Sequence, residues 1–134
     1  MARLSDIDAL ADLYDQNMLL RAVSHAENVL RLERTLTTGG LIALVERDGR
    51  VVSAARTSAI GRGMAMIGGV ATRPDYRRQG FARACTGRLC RILLDQRIEP
   101  YLTYDPTNLA ASRAYAALGF EDIGAWLLAF LKPA

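Results

Sequence analysis

Val70-Ala71-Thr72-Arg73-Pro74-Asp75-Tyr76-Arg77-Arg78-Gln79-Gly80-Phe81-Ala82-Arg83 reads as a strand that ends, a turn closed by Gly80, and a helix that begins. Glycine at position 80 lets the backbone approach a ligand with no β-carbon in the way. The first N–H groups of the helix find no acceptor inside it and point out of that end. This combination is a cradle for a pyrophosphate, because free backbone donors and the positive end of the helix dipole both favour an anion. Arg73, Arg77, Arg78 and Arg83 set planar cationic forks around the same end, as suits a polyanion. A capped surface helix with solvated arginines is the plainer reading of such a turn taken alone. Two other phosphate-binding patterns fail. No lysine stands nearby to close a P-loop, and Gly61-Arg62-Gly63-Met64-Ala65-Met66 lacks the third glycine of the dinucleotide fingerprint and precedes a strand.

Working outward, Met64 to Thr72 reads as a strand entered through Gly61 and Gly63, and Gly68-Gly69 within it marks a bulge or a close approach by another backbone or a ligand. Leu41 to Val45 and Val51 to Ser58 are β-rich, and the Asp48-Gly49 pair between them suits a tight hairpin. Ahead of them lie two helices. Ser5 and Asp8 open an apolar spacing at Ile7, Leu10, Tyr14 and Met18, and Ser24 with Glu27 forms a capping box before Val29, Leu30 and Leu36, ending at Gly39-Gly40. After Pro74 comes a helix with Phe81, Cys85, Leu89, Ile92 and Leu93 on one stripe. A strand over about Pro100 to Tyr104, a helix from about Asn108 to Leu118 stopped by Gly119, and a last strand over about Ile123 to Phe130 follow. The strand Met64 to Thr72, its helix and the strand Pro100 to Tyr104 form a parallel βαβ unit. The expectation is an α/β fold with a mixed central sheet and helices on both faces, residues 1–134 forming a single domain.

Composition bounds the function. In 134 residues, 51% are hydrophobic and 23% charged, the balance of one ordinary soluble domain. Lys+Arg 17 against Asp+Glu 14 leaves +3, which is no nucleic-acid footprint. Apart from Lys132 every basic residue is arginine. The apolar run Ile123 to Leu131, broken by Gly124, is far shorter than the roughly 18 residues of a membrane span. Acidic residues near Met1 exclude a secretory signal, so a cytoplasmic location is expected, with no membrane or nucleic-acid partner. Cys85 and Cys90 fall about 140° apart around their helix, cannot pair, and read as reduced core residues. With a single histidine and no G-x-S-x-G elbow, neither a usual zinc site nor a hydrolase is expected, and no metal ligand is assigned.

Asn108-Leu109-Ala110-Ala111-Ser112-Arg113-Ala114-Tyr115-Ala116-Ala117-Leu118-Gly119-Phe120 is the second stretch that carries chemistry. It looks like the N-x-x-A-x-x-x-Y-x-x-x-G-F motif of the GNAT N-acetyltransferase superfamily, and Arg77-Arg78-Gln79-Gly80-Phe81-Ala82 matches that family's Q/R-x-x-G-x-G/A acyl-CoA signature. The two motifs in this order and separation resemble the family over most of the chain. The resemblance implies acetyl transfer from acetyl-CoA to a primary amine by direct attack in a ternary complex. It implies that the bulged strand parts from the parallel strand after it, with pantetheine in the gap bonded to the backbone of Val70, Ala71 and Thr72. An amide near Val70 would polarise the thioester carbonyl. Arg77, Arg78, Gln79, Gly80, Phe81, Ala82 and Arg83 would hold the diphosphate. Asn108 would contact pantetheine, Ser112 would approach the cofactor, and Tyr115 would protonate the departing thiolate. Alone, Tyr115 reads as a structural tyrosine facing the sheet. The flanking Asn108 and Gly119-Phe120 favour a catalytic acid, for which a phenol of pKa about 10 is suited.

Two departures from the family pattern stand out. An alkyl amine of pKa about 10.4 is almost wholly protonated at pH 7, so a base or water relay helps, yet Met64 to Thr72 contains no Asp, Glu or His. Glu46, Tyr104, Asp105 and His25 are substitutes of which none stands out, and His25 reads as an ordinary polar residue in the first turn of its helix. The family usually opens with a strand, whereas here Ser5 already begins a helix. The edge so uncovered invites pairing into a homodimer. A non-catalytic acyl-CoA-binding or protein-interaction module on the same fold is the alternative that the missing carboxylate keeps open, and the acceptor amine is not identified by any motif.

Overall fold

The computed structural model describes residues 1–16, 23–127, 129 and 131. A single 3-10 turn over Leu4–Asp6 leads into helix α1, Ile7–Asp15, and α2 follows over His25–Thr37. Ser24 starts α2 as expected: its hydroxyl accepts from the Glu27 N–H at 3.2 Å while the Glu27 carboxylate accepts from the Ser24 N–H at 2.9 Å. Strands β1, Ile42–Arg47, and β2, Arg50–Gly61, run antiparallel, and β3, Met64–Thr72, returns antiparallel to β2. Both connections are two-residue turns in which both residues have positive φ, Asp48 with Gly49 and Arg62 with Gly63. That is the type I′ geometry, whose twist matches the strands it joins. Helix α3, Phe81–Asp95, then carries the chain to β4, Glu99–Leu102, which lies parallel to β3, and α4 spans Leu109–Ala117. The sheet order is β1-β2-β3-β4.

Alternation along the strands divides the core in two. Ile42, Val51 and Ala54 pack with Ile7, Leu10, Leu13 and Leu32 of α1 and α2, whereas Ala43, Ala55, Ala65 and Ile67 pack with Cys85, Leu89 and Leu93 of α3. Adjacent residues therefore serve opposite faces, and the small side chains at 54 and 55 let helices close on the central strand from both sides. In place of the family's first strand, a single backbone bond from the Ala2 N–H to the Ile42 carbonyl, 2.8 Å, flanks β1. Both cysteines are free, Cys85 buried and Cys90 half-buried. No helix of the described residues is long and apolar enough to cross a membrane.

One expectation fails. The described residues of the segment Ile123 to Phe130 form no strand, and Ile123, Trp126 and Leu127 are exposed at 93%, 73% and 90%. An apolar run supplies the tendency to be buried, but a strand also needs an edge to bond to. The strand at that end of the sheet, β4, has only four residues. Met18 and Phe130 lie outside the described residues.

Candidate active site

The site begins with a break in pairing. β3 and β4 run together from Met64↔Glu99 to Ile67↔Leu102 and no further. Immediately after Gly68 the β2–β3 register slips: Arg56 faces Gly68 and Ala54 faces Ala71, so two residues of β3, Gly69 and Val70, stand against the single Ala55 of β2. This is the bulge expected at Gly68-Gly69, and Gly69 holds φ +53. The extra residue inverts the alternation, so that Val70 joins the α3 side of the core and Ala71 the α1 side. Beyond the bulge, Thr72 and Ala71 stay paired with β2 at Ser53 and Ala54, while their other edge has no β4 partner and borders a cleft of about 530 Å³.

The N-terminus of α3 closes one end of that cleft. Arg78 and Gly80 both take positive φ, +59 and +80, so the backbone from Arg77 to Phe81 folds back on itself ahead of the first helical turn. A β-carbon added at Gly80 would meet no atom within 4 Å, which leaves the cradle open toward the cleft. Val70, Ala71, Thr72, Arg77, Arg78, Gly80, Phe81, Ala82 and Arg83 all line it. Arg73 does not join them. It is 5% exposed, and its Nε donates to the Val51 carbonyl at 2.7 Å, so the strand end draws it under the sheet instead of toward an anion. Arg77 is partly committed as well, its Nε donating to the Thr72 carbonyl at 3.3 Å.

Helix α4 forms the opposite wall with Asn108, Ala111, Ala114 and Tyr115. Its motif residues have local jobs that place Tyr115. Asn108, which lines the cleft, is the N-cap, its Oδ1 accepting from the Ala111 N–H at 3.1 Å, so that its amide NH₂ is not spent on the cap. At the other end, the Phe120 N–H donates to the Tyr115 carbonyl at 3.1 Å and the Gly119 N–H to Ala116 at 3.0 Å, a Schellman cap that requires the φ of +92 at Gly119. The cap folds Phe120 back so that its ring stands edge-on to Tyr115 at 6.0 Å, and Tyr104 flanks the other side at 5.5 Å. Burial raises the Tyr115 phenol above its ordinary 10.0. Gln79 and Ser112 stand outside the lining: Gln79 donates back to the Asp75 carbonyl at 3.3 Å, and Ser112 is one helical step of about 100° from Ala111.

On the α1 side of the bulge are groups that sequence reasoning placed only as helix and strand positions. The Tyr14 hydroxyl donates to the Gly69 carbonyl, and burial drives its phenol far above the ordinary value. A β-carbon at Gly69 would lie 2.9 Å from Arg56 Nε and 3.1 Å from Tyr14 Oη, and one at Gly68 would lie 2.4 Å from Ser58 Oγ. Gly69 is therefore favoured both by its φ and by close approach, and Gly68 by the approach of the Ser58 side chain. None of the substitute bases lines the cleft. Tyr104 donates to Asp122 at 3.0 Å, Asp105 is held low by bonds from Thr107, His25 pairs with Asp15 at 2.6 Å, and Glu46 lies exposed near the β1–β2 turn.

Residues 7–120 match the model of the acetyltransferase (GNAT) family. No curated protein matches the sequence. Among solved structures, a ribosomal-protein-alanine N-acetyltransferase from Brucella melitensis superposes with a TM-score of 0.79 at 21% identity, over 92% of this chain and 83% of that one. An N-acetyltransferase from Staphylococcus aureus gives 0.79 at 15%, over 92% and 82%. A protein from Clostridium acetobutylicum, named as a predicted acetyltransferase and solved with acetyl-CoA, gives 0.75 at 18%, over 96% and 92%. At these identities the likeness to the three is one of fold.

Proposed function

Because the chain belongs to the acetyltransferase (GNAT) family, we propose that it transfers an acetyl group from acetyl-CoA to a primary amine, by direct attack in a ternary complex with Tyr115 as the general acid. The observation that carries this reading is the parting of β3 from β4 at Gly68-Gly69, which opens the edge of Val70, Ala71 and Thr72 opposite Asn108 and Tyr115 with the start of α3 at one end. That geometry fits acetyl-CoA as co-substrate. The open strand edge supplies main-chain partners for an extended amide-bearing chain in the manner of an added strand. The turn at Arg78 and Gly80, with the first N–H groups of α3 and the Arg78 and Arg83 side chains, offers donors to a diphosphate.

In the proposed reaction the amine nitrogen bonds to the thioester carbonyl carbon, and the carbon–sulfur bond breaks. The Val70 amide stabilises the charge on the carbonyl oxygen, and the thiolate takes the Tyr115 proton. The proton released by the amine passes to water, since among the described residues no carboxylate or histidine lines the cleft. The same lack favours a second reading, a non-catalytic acyl-CoA-binding or interaction module.

Thermal melting with saturating acetyl-CoA, against NADH and ATP as controls, tests the cofactor. At about 100 times the dissociation constant a ligand adds about 2.7 kcal/mol, which raises the midpoint of a domain this size by on the order of 10 °C. A shift specific to acetyl-CoA followed by release of free thiol with amines is the expected result. A shift without thiol release selects the binding module, and no shift removes both.

A further inference from the structure

A second cavity, of about 430 Å³, lies on the α1–α2 face of the sheet and is lined by Arg31 and Arg34 of α2, Arg56 of β2, Thr35, Thr38 and Ser58. None of the lining groups is acidic, and among the described residues none of the three arginines has a carboxylate within ion-pairing distance. Three arginines thus line one cavity with no acidic residue in its lining, and burial above all lowers the pKa of Arg56, with Tyr14 opposing the shift and the Arg31 charge adding to it. The helix dipole accounts for a cation at Arg34, in the last turn of α2, but for neither of the others. The hydroxyls of Thr35 and Thr38 are already donated to the carbonyls of Arg31 and Arg34, at 2.9 and 2.7 Å. The guanidinium groups are thus the strong donors left to a ligand.

The cavity adjoins the bulge. Arg56 is the cross-strand partner of Gly68, and its Nε would stand 2.9 Å from a β-carbon on Gly69. A molecule anchored on the three arginines therefore lies beside the strand segment at which acetyl transfer is placed above. We propose that this cavity seats an oxyanion carried by the acceptor, so that the substrate is a small amine bearing a carboxylate or a phosphate. The assignment rests on the acetyltransferase reading for the amine, and on the cavity itself for the anion. Guanidinium forks bind either oxyanion in the same bidentate manner.

The test uses matched acceptors: amino acids against their decarboxylated amines, and O-phosphoethanolamine against ethanolamine. Each is assayed with saturating acetyl-CoA for thiol release and, independently, for its effect on the melting midpoint of the acetyl-CoA-saturated protein. The oxyanion-bearing member of at least one pair is expected to show the higher kcat/KM and to raise the midpoint, and the pair that responds separates carboxylate from phosphate. In Arg31→Gln and Arg34→Gln, both exposed on α2 and so compatible with folding, the ratio of kcat/KM between members with and without the oxyanion should fall about 10-fold to 100-fold. Equal or better use of the amines that lack the oxyanion, unchanged by these substitutions, overturns the proposal while leaving acetyl transfer standing. A midpoint raised only by the oxyanion-bearing members, with no thiol released from any pair, upholds the anion site and removes the transferase reading. With neither an anion-dependent midpoint nor an anion preference in turnover, the proposal falls.

Discussion

The two sides of the bulge are built in different ways. On the α3–α4 side, what lines the cleft comes from short runs of chain in which backbone geometry does the placing: Gly80 at φ +80, Asn108 as an N-cap and Gly119 as a helix stop. On the α1–α2 side, Tyr14, Arg31 and Arg56 come from three elements far apart in sequence and meet only in the folded protein. The first side depends on main-chain conformation, the second on side chains brought together by packing. Substitutions should therefore fail differently on the two sides, through cofactor binding and chemistry on one and through the integrity of the bulge or the choice of acceptor on the other.

The largest effect is expected at the cradle. Gly80→Val places a branched side chain at a φ that such residues rarely adopt, in space that is open toward the cleft. Losing two charge-assisted bonds to a diphosphate, at about 1.5 kcal/mol each, weakens acetyl-CoA binding on the order of a hundredfold or more. The protein stays folded, as its circular dichroism would show. Unchanged affinity by calorimetric titration would dismiss the pyrophosphate assignment. Next is Tyr115→Phe, which keeps the ring contacts with Tyr104 and Phe120 and should bind acetyl-CoA almost normally while turning over about 10²-fold more slowly. Because burial raises the wild-type phenol above 10.0, the acid stays loaded through neutral pH, and kcat should not fall on the alkaline side below about pH 10. An unimpaired Tyr115→Phe would return this residue to the core.

Tyr14→Phe is the matching experiment on the other side. It removes the hydroxyl that donates to the Gly69 carbonyl, at a cost of about 1–3 kcal/mol in stability. A lowered melting midpoint with kcat changed much less than in Tyr115→Phe is the expected outcome. If instead stability held and turnover collapsed, Tyr14 would belong to the chemistry and the contrast between the two sides would break.

The same contrast explains what could be read from the chain. Gly68-Gly69 announces the bulge because few other reasons put two glycines inside a strand, and the strand read at about Met64 to Thr72 is β3, Met64–Thr72. The Asn108 to Phe120 motif is legible because N-cap, stripe and Schellman stop act within one helix. Arg73 was misplaced among the anion-binding arginines because sequence proximity cannot say that its guanidinium turns beneath the sheet to the Val51 carbonyl. Tyr14 looked like one more apolar position at helical spacing, since nothing local reveals that its hydroxyl reaches a carbonyl 55 residues on. The strand expected over Ile123 to Phe130 had the right composition, but composition does not supply the edge to which a strand must bond.

The smallest effect concerns how α1 and α2 are tied on the second side. His25, the first residue of α2, pairs through Nδ1 with Asp15 at 2.6 Å, and Asn28 donates to the same carboxylate at 2.8 Å. The bond to Asp15, with Asp12 and Asp8 adding attraction, raises His25 above 6.5, and the bonds from His25 and Asn28 lower Asp15 below 3.8. The raised histidine contributes stability that is complete below 6.5 and is lost as pH rises through its folded value. The lowered aspartate contributes stability present above 3.8 and lost as pH falls through its own. The ion pair therefore acts in the window between them. The melting midpoint of wild type should exceed that of Asp15→Asn most near about pH 5 to 6, and the difference should narrow by about pH 9, where the neutral His25 no longer attracts the carboxylate. Both groups face solvent, so the difference should be small and should shrink further in about 1 M salt. A difference that is flat with pH, or indifferent to salt, would mean that α1 and α2 are joined by their buried contacts through Leu10, Leu13 and Leu32 alone.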